Sequence, residues 1–265
     1  MSNPIFVFEG VRAATLTASE GSATGFPTTQ LQDDRYDTLW ESGSNAQNQT
    51  LLAHFTIAKN IDNAFIANHN IANLGLTSLK INVSPDGVAW TTKATLTSFP
   101  DPLYAPFGTT LYAYAQLVFV KSSSLSTIPQ IGLLYIGARA DMPLYLNSPE
   151  RGLQADAIVA ESMSGLRYGS SLHPDRETWK INSKSLIAAQ LYDWARLVRT
   201  VNGMQYPFWF CDMDGNWHFV RFKKDYLPWV GRGNVVFPVS DIEFEEERVG
   251  IATSLPGGYT VPAPA

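Results

Sequence analysis

The residues able to do chemistry are few and scattered. The chain has four histidines, His54, His69, His173 and His218, and no two stand at a metal-ligand spacing such as His-x-x-x-His. His69, at the polar end of the stretch AFIANHN, suits a turn hydrogen bond. His218, between Trp217 and Phe219, suits a strand or interface position better than that of a base. Cys211 is the single cysteine, so the chain forms no intrachain disulfide and no cysteine-rich metal site. Within the aromatic stretch YPFWFCDMDG it reads as a small buried apolar residue, not a nucleophile. The run EFEEE brings Glu243, Glu245, Glu246 and Glu247 close in sequence and raises glycoside cleavage by paired acids. Alternation throws successive strand residues onto opposite faces, so the run reads instead as a solvated edge or a salt-bridging subunit contact through Arg248 or Arg221. No Gly-x-Ser-x-Gly elbow and no phosphate-binding Gly-Lys-Ser/Thr loop occurs. These residues predict a protein that is not an enzyme and holds no catalytic cofactor.

The elements around them point to a mostly β chain. Its 265 residues are enough for two ordinary domains or one large all-β domain. Apolar residues make up 45% and charged ones 16%, which argues against disorder and for a surface largely neutral or covered by partners. A net charge of −5 without a Lys/Arg run excludes nucleic-acid binding through a basic face. No apolar run reaches membrane-spanning length, and the start MSNPIFVFEG lacks the basic flank and apolar core of a secretion signal. With one cysteine, synthesis and folding in a reducing cytoplasm is expected.

Residues 1–137 carry many short alternating runs, which predicts a β-sandwich. LLAHFTI puts Leu51, Ala53, Phe55 and Ile57 on one face; LKINVS puts Leu79, Ile81 and Val83 on one face and Lys80, Asn82 and Ser84 on the other. Pro85-Asp86-Gly87 then supplies turn chemistry, and Trp90 follows as a packing latch whose loss should cost about 3–5 kcal/mol. Residues 138–150, with two prolines, read as a linker. Within 151–250 the spacing of Ile187, Leu191, Trp194 and Val198 predicts one packed helix over about 185–201, capped by Ser183 or Ser185 and stopped by Gly203. A hairpin with Phe208 and Trp217 in its strands turns at Asp214-Gly215. Residues 251–265, with three prolines, read as an extended arm.

Two resemblances follow. The stretch PTTQLQDDRYDTLWES, through Leu31, Asp33, Thr38 and Trp40, and SPDGVAW, through Ser84, Asp86, Gly87 and Trp90, resemble the discoidin, galactose-binding-like jelly rolls. FTIAKNIDNAFI and LLYIG resemble that family's next strand pair and its closing strand. The resemblance implies a jelly-roll sandwich, in some members with a structural calcium. Asp33, Asp34, Asp37 and Thr38 are the candidate calcium oxygens, and Arg35 is a competing cation; the alternative is turn-capping aspartates paired with Arg35. The resemblance also implies a sugar site on the loops at one end. Trp40, Trp90, Tyr104 and Phe107 are candidates by type, with Trp40 and Trp90 better suited to packing and residues 99–108 the better contact loop.

The second is carried by ETWKINSKSL, LYDWARLVRTVNGMQYPFWFCDMDGNWHFVRF and VSDIEFEEE. In order of strand, helix, turn, hairpin and late strand, it resembles the split β-barrel of tail-tube and distal tail proteins of long-tailed phages. That implies a virion structural protein at the tail tip or baseplate. It would be made in the host cytoplasm and form a homo-oligomeric ring, a hexamer by resemblance, that docks tube, hub and tail-fibre proteins. Ile187, Leu191, Trp194, Val198, Trp90, Phe208 and Trp217 are its packing or interface candidates. The rival reading is a carbohydrate-binding module that attaches a virion or enzyme to a host surface glycan.

Overall fold

The computed structural model describes residues 4–141, 150–154, 157–161, 167–171, 176–181, 188–223 and 242–247. Its strands are β1 (Ile5–Val7), β2 (Ala14–Ala18), β3 (Trp40–Glu41), β4 (Thr50–His69), β5 (Ser78–Ser84), β6 (Thr91–Leu96), β7 (Leu103–Val120) and β8 (Gln130–Gly137). Then follow β9 (Arg139–Asp141), β10 (Glu150–Gln154), β11 (Ala157–Glu161), β12 (Arg167–Ser171) and β13 (Arg176–Ile181). Helix α1 (Ala188–Thr200) precedes β14 (Phe208–Cys211), β15 (Trp217–Phe222) and β16 (Ile242–Glu246). The expected class, mostly β with α1 the one α-helix among the described residues, holds.

The chain divides into two compact units, one of Val7–Arg139 and one of Met1–Phe6 with Ala140–Arg248. In the first, antiparallel strands run in the order β3-β8-β4-β7-β5-β6, with β2 on the free side of β4. Long strands β4 and β7 are shared between the two faces. The first part of β4 pairs β2 and the end of β7; its second part pairs β8 and the start of β7. Between the faces lie Leu51, Phe55, Ile61, Ile66, Leu79, Ile81, Val83, Leu117 and Phe119.

The alternation in LKINVS is realised: Leu79, Ile81 and Val83 are fully buried and Lys80 and Asn82 half-buried. Ser84 departs from it, because its hydroxyl is drawn inward to accept from the backbone of Asp86 and Gly87 and to donate to Asp86. Ile57 departs further and is 80% exposed. The β4–β7 register shifts between His54 and Lys59, so residues 56–58 run through an irregularity that breaks the period of two.

In the second unit the strands run β10-β13-β16-β15-β14-β1-β9, with β11 and β12 forming a separate pair. Aromatics fill its core: Phe6, Phe208, Phe210, Phe222 and Phe244 are all buried, with Phe208 and Phe222 ring centres 4.7 Å apart. Helix α1 buries Trp194, Leu197 and Val198, with Trp194 edge-on to Phe222. Ile187, Ser183, Ser185 and the arm 251–265 lie outside the described residues, as does the side chain of Leu191. The helix ends as expected: Gly203, at φ 64°, donates its N–H to the Val198 carbonyl. Among the described residues no helix is long and apolar enough to cross a membrane.

Candidate functional site

Three pieces of chain meet at one end of the sandwich: the loop 33–38, the end of β4, and the loop entering β7. The first is anchored by buried Leu31 and by Gln32, whose amide donates to the carbonyls of Val11, Arg12 and Ala14. Asp34, at φ 54°, turns inward, where it pairs with Arg12 and accepts from the Tyr135 hydroxyl at 3.1 Å. Burial raises the Asp34 carboxyl above its ordinary value, and the Arg12 charge offsets part of that rise. With Asp34 turned in, its neighbours turn out. Asp33, Arg35 and Asp37 are exposed and Tyr36 is half-buried among them.

The end of β4 holds both loops. The Asn68 side chain donates to the Tyr36 carbonyl at 2.7 Å, and its backbone N–H donates to the Asp101 carboxylate at 3.0 Å. The His69 ring accepts from the Ile71 N–H through Nδ1, which leaves the proton on Nε2 to donate to the Pro100 carbonyl at 3.1 Å. The expected turn hydrogen bond of His69 is therefore made at both nitrogens. Burial lowers the His69 pKa, with the Asp101 charge acting against it. The Tyr36 phenol is raised, first by burial and then by the Asp101 charge. The result is a loop carrying half-buried Tyr36 between exposed Arg35 and Asp37, tied through Asn68 to the loop that carries the exposed Asp101 carboxylate.

The calcium candidates lie in the same loop. The Thr38 hydroxyl stands 3.0 Å from both Asp33 carboxylate oxygens and 3.2 Å from the Arg35 carbonyl. Asp33 also accepts the Arg35 N–H, and Asp37 faces Arg35 in a two-pronged ion pair at 2.7 and 3.0 Å. Among the described residues no group of three or more His, Cys, Asp or Glu could hold a metal ion.

The aromatics singled out by type lie elsewhere. Trp40 is buried in the sandwich core, with its indole N–H donating to Ser22. Trp90 is half-buried and outside the buried cluster, past the Asp86 turn that caps β5. The Tyr104 hydroxyl accepts from Arg139, and Phe107 packs against the core. Of the stretch 99–108, residues 99–102 belong to the loop cluster and the rest is strand. Asn68, which joins the Tyr36 backbone to Asp101, is not among the residues that type and spacing single out. The one local sign was an Asn before a polar strand end, which tolerates the left-handed backbone Asn68 adopts at φ 54°.

In the second unit Asp212, His218, Arg221 and Glu247 bond within the chain. Asp212 accepts from the backbone of Asp214 and Asn216 and pairs with His218 at 3.1 Å. Burial raises the Asp212 pKa, but the His218 and Asn216 hydrogen bonds outweigh it and the net shift is downward. His218 lies 4.6 Å from the Trp179 ring. Cys211 is buried and its thiol is pushed up to about 11, which keeps it protonated and inert. Glu247 pairs with Arg221 at 2.6 Å within the chain, and Glu246 accepts from the Glu177 backbone. Phe208 is buried and Trp217 half-buried; His173 lies outside the described residues.

No protein-family model matches the chain and no curated protein matches it. Among solved structures it is similar to chitosan-binding module 1 of a Paenibacillus sp. IK-5 chitosanase/glucanase, at 19% identity and TM-score 0.42, over 49% of this chain and 99% of that one. It is also similar to the family 32 carbohydrate-binding module of Clostridium perfringens NanJ in complex with galactose (16%, TM-score 0.41, 50% and 98%). A third is a Clostridium perfringens module in complex with GalNAc-β-1,3-galactose (15%, TM-score 0.41, 49% and 98%). All three are carbohydrate-binding modules, and nothing in these matches indicates a phage tail protein.

Proposed function

We propose that the chain is a non-catalytic binding protein whose sandwich takes a saccharide at the Tyr36–Asn68–Asp101 loop cluster. The observation that carries this reading is the Asn68 link, bonded to the backbone of the loop that carries half-buried Tyr36 and to the exposed Asp101 side chain of the other loop. The C–H face of a pyranose packs on an aromatic face, while its hydroxyls donate to Asp37 and Asp101 and accept from Arg35. Because the loops are held before the ligand arrives, little ordering cost falls on binding. The test is calorimetry against neutral galactose oligosaccharides, amino-sugar chitosan oligosaccharides and acidic pectin fragments. Tyr36→Ala should weaken whichever is bound by about tenfold or more, the equivalent of about 1.4 kcal/mol. Unchanged affinity in that variant would remove the ring from the site.

A second reading, a ring-forming protein of a phage tail tip that docks tube, hub and fibre proteins, is favoured by one observation. The second unit runs β13, α1, Gly203, β14, β15 and β16, the order on which that resemblance rests. The two readings are compatible, since a ring protein can carry a glycan-binding domain. Light scattering over a range of concentrations tests it: a closed ring such as a hexamer is expected, and a monomer at every concentration counts against it.

A further inference from the structure

We infer that Gly132, in β8 and outside the loop cluster, is a positioning residue that sets the geometry of the saccharide site through Asn68. The functional half of this inference rests on the saccharide reading above. Gly132 lies between Ile131 and Leu133, which pair His69 and Ala67 of β4, so it faces Asn68 across the ladder. A methyl group at Gly132 would stand 2.7 Å from the Asn68 amide nitrogen, 2.9 Å from its Cβ and 3.1 Å from its Cγ. Real Cβ atoms essentially never come within 3.0 Å of another heavy atom, as the first two of these would. The Asn68 Cβ, unlike the tip of a long side chain, cannot move aside without moving the strand end. The side chain at residue 68 is therefore admitted by the absence of one at residue 132.

Asn68 uses that slot for a tether. Its amide donates to the Tyr36 carbonyl at 2.7 Å, while its backbone N–H, aimed by the left-handed φ of 54°, donates to Asp101 at 3.0 Å. One residue thus ties the backbone of Tyr36 to the Asp101 carboxylate. Filling the slot drives the amide off Tyr36 and frees the loop 33–38, although Gly132 itself touches no ligand.

The test compares Gly132→Ala, Asn68→Gly and the double variant in the full chain. Glycine at 68 keeps the left-handed backbone and removes only the side chain. Two quantities are read: hydrogen exchange of residues 33–38 against the rest of the sandwich, and affinity for the oligosaccharide panel. Each single variant should speed exchange in 33–38 while the β4–β7 ladder stays protected, and should weaken saccharide binding by about tenfold, the scale of one organising hydrogen bond. In the double variant the Asn68 atoms nearest to the added methyl are gone, so its exchange and affinity should match Asn68→Gly alone. Unchanged exchange in Gly132→Ala, faster exchange spread over the whole sandwich, or additive effects in the double variant would each overturn the inference. If the wild-type chain binds nothing in the panel, the saccharide reading fails, and the exchange results still decide whether Gly132 positions the loop.

Discussion

Trp40→Ala is expected to destabilise the sandwich by about 3–5 kcal/mol, the range for removing a large aromatic from a closed core. Trp40 is 1% exposed, opposes Ile131 on β8, and belongs to the cluster that includes Leu31, Leu51 and Ile136. Its indole N–H donates to Ser22 Oγ at 3.0 Å, so truncation also leaves that hydroxyl without its donor. Trp90→Ala should cost far less, because Trp90 is half-buried and stands outside that cluster. The larger loss is thus expected at Trp40, before β4, and the smaller at Trp90, after the Asp86 turn. Urea denaturation of both variants checks this. Equal losses would return Trp90 to the role its sequence position suggests.

The second large effect is at the buried ion pair. Arg12→Ala leaves the Asp34 carboxylate, with a side chain only 4% exposed, without its cation, and breaking such a pair costs about 3–5 kcal/mol. The loss should depend on pH with a definite sign. Burial already raises Asp34 in the folded protein, and without Arg12 nothing of comparable charge opposes that rise. A folded pKa above the unfolded value, about 3.9, means that the folded state holds the proton more tightly. Stability of the variant relative to wild type is therefore retained at pH below that value and falls as pH rises through the raised folded pKa. Denaturation curves at acid and neutral pH decide it: a deficit that does not grow with pH would mean that Asp34 keeps its charge by another route. Because Asp34 orients the loop that carries Tyr36, the same variant should also loosen residues 33–38.

Much of the fold was legible because it rests on short-range pattern. The alternation of Leu79, Ile81 and Val83, the helix stop at Gly203 and the Asp214-Gly215 hairpin all follow from local chemistry, and all appear. Ile57 was misread because its exposure follows from a register shift in the β4–β7 ladder, which depends on a partner more than fifty residues away. The site was less legible for the same reason. Trp and Phe drew attention by type, yet Trp40 and Phe107 serve the core. Tyr36 sits half-buried on a loop pinned by an inward Asp34, whose partners Arg12 and Tyr135 lie 22 and 101 residues distant. Asn68 and Asp101 meet only because β4 ends where β7 begins. Residue type marks what a side chain can do; here long-range pairing decides which residues stand together.

The most direct measurement is calorimetric titration of the wild-type chain and of Tyr36→Ala and Asp101→Ala with the neutral, amino and acidic oligosaccharides. The loop-cluster account predicts saturable binding of one class by the wild type, weakened by about tenfold or more in both variants, with thermal stability retained. Binding by none of the three classes, or binding that survives both substitutions, would contradict it.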